Sequence, residues 1–148
     1  MNIRQMTKDD IEQCAELITL AYNDPPWNFQ WKASRAKNYL TELFDTPRFI
    51  GFVVAEGDEL CAAMFAHVKT WWINDLLMVE ELFVSPLKQG YGYGQALMDS
   101  AGQFSKNNNL GSITLLTNKY MPARSFYEKN NFLEAEQYVL MFKEIESA

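Results

Sequence analysis

Histidine occurs once in these 148 residues and cysteine only twice. Cys14 and Cys61 form no CxxC pair, and with His67 they cannot complete the four-ligand set of a structural zinc site, so no metal is expected. Both cysteines read as ordinary buried thiols. Basic residues are also scarce: 13 Lys and Arg against 19 Asp and Glu leave a net charge of −6, which argues against a non-specific nucleic-acid binder that would need a cationic face. The acidity either attracts cationic partners over a distance or simply maintains solubility. No apolar run approaches the roughly 18 residues that cross a bilayer, and "MNIRQMTKDD" lacks the basic and apolar regions of a signal peptide, so a cytoplasmic location without membrane partners is expected. Linkers, repeats and low-complexity tracts are absent too. A single domain over residues 1–148 is the expectation, since a core needs roughly 100 residues.

What is present is core material: 48% of residues are hydrophobic and 14% aromatic, against 22% charged, a balance that suits a chain able to bury a core. "NIRQM" reads as a first strand. Thr7 followed by Asp10 resembles a helix start, and Ile11, Cys14, Ala15, Ile18 and Tyr22 then form one helical stripe that "NDPP" stops. Ala33, Ala36, Leu40 and Leu43 mark a second helix ending at Thr46-Pro47. Two strands flank the turn Glu56-Gly57-Asp58-Glu59, and His67 falls on the second of them, where it reads as a residue at a solvent edge. "LLMVEELFV" is a further strand. Leu97, Ala101 and Phe104 define a helix, "SITLLT" a strand, "PARSFYEK" a short helix and "QYVLMFKEI" a last strand. The order is β-α-α-β-β-β-α-β-α-β, with room for one more strand at the end.

"EELFVSPLKQGYGYGQALM", residues 80 to 98, carries the clearest chemical signal. A strand, a glycine-rich turn and a helix form an anion site, because first-turn amides lack intrahelical acceptors and the helix dipole is positive there. A dinucleotide fingerprint wants G-x-G-x-x-G, but position 95 is Gln; a P-loop wants a terminal G-K-[ST], and none occurs. A glycine turn without a ligand stays open on spacing alone.

A larger pattern decides between these. Val84 and Pro86, then Gln89, Gly92 and Gly94 opening a helix, resemble the acetyl-CoA motif of the GNAT N-acetyltransferase superfamily, in which V-x-P precedes Q/R-x-x-G-x-G/A. Ala123, Phe126, Tyr127, Lys129 and Phe132 match the second half of the family pattern, and the element order extends the similarity over essentially the whole chain. The resemblance implies an α/β (α+β) GNAT acyltransferase fold, with a mixed central sheet of six or seven strands splayed mid-sheet and about four helices. It implies acetyl-CoA as cofactor. The pantetheine arm would run beside Leu82, Phe83 and Val84, and the pyrophosphate would sit on amides from Gly90, Tyr91, Gly92, Tyr93, Gly94 and Gln95, with side-chain contacts from Lys88 and Gln89. Tyr120, Ala123 and Phe126 would touch the cofactor from the later helix. At two points the chain departs from the pattern: Tyr120 replaces an asparagine that touches the cofactor arm, and Asn131 replaces a glycine but can still adopt a left-handed turn.

The implied reaction is direct attack by a primary amine in a ternary complex. Such an amine, with a solution pKa near ~10.4, needs a base. Strand alternation would send Glu80 and Glu81 to opposite faces, and the family pattern favours Glu80 as base or water-orienting residue, with Glu81 the other candidate. Tyr127 matches the tyrosine that protonates the departing sulfur. For the acceptor, Asp24, Trp27, Phe29 and Trp31 could box a cation and Trp71, Trp72 and Asn74 could supply an opposite wall; each could equally close the core or a dimer contact. The expected substrate is a cationic small-molecule amine, polyamine- or aminoglycoside-like, with homodimers common in the family. Two alternatives stand: an acyl-CoA-binding module of regulatory or assembly role, and a protein or peptide N-acetyltransferase.

Overall fold

A five-stranded sheet organises the N-terminal unit of the computed structural model, which describes residues 1–147 and divides into two units, Met1–Leu116 and Thr117 onward. Strands β1 (Asn2–Gln5), β2 (Phe49–Glu56), β3 (Glu59–Lys69) and β4 (Leu76–Val84) follow one another antiparallel, and β5 (Ser112–Leu115) pairs parallel with β4. The sheet is thus mixed, as expected. Helices α1 (Ile11–Asn23), α2 (Ala33–Phe44) and α3 (Tyr93–Asn107) belong to the same unit, and α4 (Ala123–Lys129) to the second.

Alternation along the strands builds two packed layers. Val53, Ala63, Phe65 and Phe83 turn to one face and form a core with Cys14, Ile18, Ala36 and Leu40 of α1 and α2. Phe52, beside Val53 and so on the other face, meets Phe104 of α3 with ring centroids 6.5 Å apart. Leu97, Met98 and Ala101 of α3 are buried there, at the helical spacing read from the sequence. Burial of such side chains contributes roughly 1.5–3 kcal/mol each before entropy is counted.

Asp10 ties the first strand to the first helix. Its carboxylate accepts the Thr7 amide at 2.8 Å and two Arg4 guanidinium nitrogens at 2.8 Å each, while only 5% of the residue is exposed. The hydrogen bond from Arg4 holds its pKa below the usual 3.8, against the opposing effect of burial. A depressed carboxylate stabilises the fold above its unfolded pKa and loses that contribution as pH falls through the folded value. We predict that Asp10→Asn lowers stability by about 2 kcal/mol at pH 7 and that the difference from wild type shrinks as urea melts are taken below pH 3.8. A constant difference across pH would assign the loss to packing.

Two features differ from the sequence reading. Residues 137 to 145, read as the last strand, form no regular strand, and Tyr138, Val139, Leu140, Met141 and Phe142 are exposed. A β-rich composition only makes a segment fit for a ladder; the hydrogen bonds must come from a neighbouring strand. The sheet among the described residues therefore has five strands, where six or seven were expected. His67 also lies on β3, the middle strand of the sheet, with its side chain only 18% exposed, so it does not sit at a solvent edge.

Candidate active site

Strand β4 is paired on both sides only over its first half. Leu76 to Val79 match Ser112 to Leu115 of β5, and among the described residues β5 ends there. Residues 80 to 84 keep β3 on one side, through pairs such as Phe65 with Glu81 and Ala62 with Val84. Their other edge has no strand from this sheet. That open edge is what an extended acyl-carrying arm needs in order to add as a strand would.

A bulge sits at the same place. Ala66 pairs with Val79 and Phe65 with Glu81, so Glu80 is an extra residue on β4. Strict alternation fails there, and the expectation that Glu80 and Glu81 point to opposite faces is corrected. Both carboxylates act on the same tyrosine: the charges of Glu81 and Glu80 both raise the pKa of Tyr39, after the larger effect of its burial. The Tyr39 hydroxyl donates to Glu81 Oε1 at 2.6 Å, and burial pushes the Glu81 carboxyl above its ordinary range. Glu80 is more open, its side chain 38% exposed, with His67 Nδ1 3.7 Å from Oε1. The Tyr22 hydroxyl donates to the Leu82 carbonyl at 3.1 Å. Tyr22 belonged to the apolar stripe of α1, but nothing local in the sequence points Tyr39 at a residue 42 positions away.

After Val84 the chain makes a 3₁₀ turn at Pro86–Lys88, whose start Ser85 caps by accepting the Leu87 amide. Gly90 and Gly92 both have φ of 82°, in the left-handed region where a side chain is strained, and a Cβ at either would meet nothing within 4 Å. Glycine is needed there for backbone conformation, and the space directly beside Gly90 and Gly92 is open. Gly92 is the N-cap of the 15-residue α3 and supplies no side-chain cap to its first turn. Positive dipole, glycine backbone and open edge follow one another within about a dozen residues, so the residues present suit coenzyme A. The side chains expected to help are committed elsewhere: Gln89 donates to the Val84 carbonyl at 3.3 Å, Lys88 pairs with Glu56 at 2.7 Å, and Tyr93 is buried with its hydroxyl on Glu56. Gln95 donates to Asp99 at 2.9 Å, and Tyr91 remains exposed.

The aromatic segment between α1 and α2 largely satisfies itself. Trp27 and Phe29 lie against Tyr22 with centroids 5.2 and 5.9 Å away, while Trp31 stacks on Tyr39 at 5.2 Å. Asp24 caps α1, its carbonyl accepting the amides of Trp27 and Asn28. A surface depression beside Phe29 and Trp31 is also lined by Lys32 and Arg35, whose charges oppose a cation there. Trp71, Trp72 and Asn74 precede β4, at the opposite end of that strand from the glycine loop; Trp71 has Lys69 over its ring at 5.2 Å and Trp72 is exposed.

In the second unit, α4 carries Ala123, Phe126 and Tyr127. Tyr127 is buried, with Phe126 and Phe132 set edge-on to its ring at 5.4 and 5.5 Å. Asn131 takes φ of 69°, the left-handed turn expected of it, and Tyr120 is exposed beneath Lys119. Among the described residues no group of three His, Cys, Asp or Glu could hold a metal, and no helix is long and apolar enough to cross a membrane.

The mixed five-stranded sheet, with its glycine-rich turn between β4 and α3, is the frame of the site, and comparison with known proteins identifies the family. The model of the acetyltransferase (GNAT) domain matches residues 47–134, and the chain belongs to that family. An uncharacterized N-acetyltransferase of Methanocaldococcus jannaschii is 26% identical over 90% of the chain, which spans 61% of that relative's length. Among solved structures, a transcriptional regulator from Bacillus halodurans C-125 superposes with a TM-score of 0.78 at 19% identity, covering 96% of this chain and 99% of that one. An aminoglycoside acetyltransferase from an uncultured soil metagenomic sample, solved with trehalose, gives 0.74 at 20% identity, covering 98% and 96%. Aminoglycoside N-acetyltransferase AAC(6')-Iy, solved with CoA, gives 0.72 at 15% identity, covering 97% and 93%. At these identities the likeness speaks for the fold.

Proposed function

We propose that the protein is an acetyl-CoA-dependent N-acetyltransferase acting on a primary amine of a cationic small molecule, with residues 1–148 as a single domain. The observation that carries this reading is the open edge of β4 from residue 80 to 84, which leads directly into the glycine cradle. Bound acetyl-CoA would supply an acyl thioester. Backbone groups of Leu82 to Val84 hold the acyl-carrying arm and present amides to the acyl oxygen, and the amides around Gly90 to Gln95 hold the pyrophosphate. Glu80, exposed on the bulge, accepts the amine proton at its carboxylate, directly or through water. The adjacent Glu81 adds a second carboxylate, so the site attracts a cationic amine before it is deprotonated. Tyr127 is assigned as proton donor to the leaving sulfur on its place in the F-Y motif. Aminoglycoside acetyltransferases among the fold neighbours support the same substrate class.

The test is thiol release from acetyl-CoA against a panel of polyamines, aminoglycosides, amino acids and peptides. Acceptance of peptide N-termini alone would refute the substrate class. Coenzyme binding without turnover on any amine would favour a binding module.

Gly92→Ala tests the cradle. The added methyl sits at φ of 82°, costing roughly 1 kcal/mol of strain, and occupies the space open to the phosphates. Calorimetric titration with CoA should show affinity weakened about tenfold, beyond what a modest drop in melting temperature explains. Unchanged affinity would place the phosphates elsewhere.

A further inference from the structure

Glu56 closes β2, one residue before the Gly57 turn, and takes no part in the motifs that mark the coenzyme site. Its carboxylate nevertheless reaches both flanks of the glycine loop. Oε2 lies 2.7 Å from Lys88 Nζ, just before the first left-handed glycine, and Oε1 accepts the Tyr93 hydroxyl at 2.6 Å, just after the second. Lys88 Nζ also stands 5.5 Å from the Tyr91 ring centroid, and Tyr91 and Tyr93 meet edge to face at 5.8 Å. The segment from Lys88 to Tyr93 is therefore bracketed by one carboxylate standing on the separate β2–β3 hairpin.

We propose that Glu56 is a positioning residue for coenzyme binding: it clamps Lys88 and Tyr93 so that the intervening loop keeps its amides turned outward before the pyrophosphate arrives. The inference rests on the reading of this loop as the coenzyme A cradle. A loop with two left-handed glycines has many other conformations, and ordering it on binding would subtract from affinity. Both tethers are hydrogen bonds to an ionised oxygen, the stronger kind. The groups facing Glu56 agree in sign: Lys88 and Tyr93 hold its carboxyl below the usual range, Lys88 first, and the Glu56 hydrogen bond lifts the Tyr93 hydroxyl to about 12. Two further titratable groups stand nearby: Glu59, the register partner of Glu56 across the turn, and Cys61, its thiol pushed up by burial and then by the Glu56 charge. In this arrangement the Lys88 and Tyr93 side chains act on the coenzyme through the loop.

The experiment compares ligands that carry a pyrophosphate with one that does not. CoA affinity is measured by calorimetry on wild type, Glu56→Ala, Glu56→Gln and Tyr93→Phe, and turnover is measured with acetyl-CoA and with acetyl-pantetheine, which lacks the pyrophosphate. Glu56→Ala should weaken CoA binding about tenfold or more and raise KM for acetyl-CoA equally, with kcat and the acetyl-pantetheine kcat/KM within about twofold of wild type. Glu56→Gln, which can still accept the Tyr93 hydroxyl, should recover most of the loss. Tyr93→Phe should weaken CoA about three- to tenfold, and it carries the test alone if Glu56→Ala does not fold. CoA affinity within twofold of wild type in Tyr93→Phe and in any folded Glu56→Ala overturns the clamp, as does an equal loss for acetyl-pantetheine. Failure of wild type to bind CoA at all would instead sink the cradle reading.

Discussion

Glu80→Gln is expected to lower the turnover number for acetyl transfer by about 10²- to 10³-fold at pH 7, with CoA affinity unchanged, because the amide cannot take the amine proton. The comparison that gives this force is Glu81→Gln. Glu81 is held by Tyr39 at 2.6 Å and is half-buried, so its loss should raise KM for the amine more than it lowers kcat. Stability separates the two further. Burial lifts the Glu81 carboxyl above its ordinary range, so the native state binds a proton more readily than the unfolded chain. Its stabilising contribution is full at acidic pH and is lost as pH rises through the folded value. At pH above that folded value the glutamine variant should therefore melt no lower than wild type. If Glu81→Gln loses turnover as severely as expected for Glu80→Gln, while Glu80→Gln loses little, the roles are exchanged and the buried carboxylate is the base.

Tyr127→Phe is expected to reduce kcat by about 10²-fold with little change in CoA affinity. A phenol with a reference pKa near ~10 is protonated at neutral pH and can hydrogen-bond a departing thiolate of pKa roughly 8.5, judged from cysteine, as charge builds on the sulfur. Removing one hydroxyl leaves the ring and its edge contacts with Phe126 and Phe132 in place, and a parallel thermal melt reports any loss of stability. The leaving group offers a sharper readout: activated thioesters with a more acidic thiol should be far less sensitive to the change. Full activity with a saturating, verified amine would take Tyr127 out of the mechanism and leave it a packed aromatic.

Sequence by itself determined the features that depend on neighbouring residues. Gly90 and Gly92 are legible because only glycine takes φ of 82° without strain, and the helix that follows is legible from Leu97 and Ala101. The V-x-P, glycine and F-Y spacings reached the family for the same reason, since each describes a short local structure. Tertiary structure decided what depends on residues far apart in the chain. Tyr39 finds Glu81 across 42 positions and Tyr93 finds Glu56 across 37, and no local periodicity encodes either meeting. The bulge at Glu80 exists only in the register between β3 and β4, yet it breaks the alternation that would send the two carboxylates to opposite faces. Residues 137 to 145 make the converse point: their composition suits a strand, but a strand is a property of a pair.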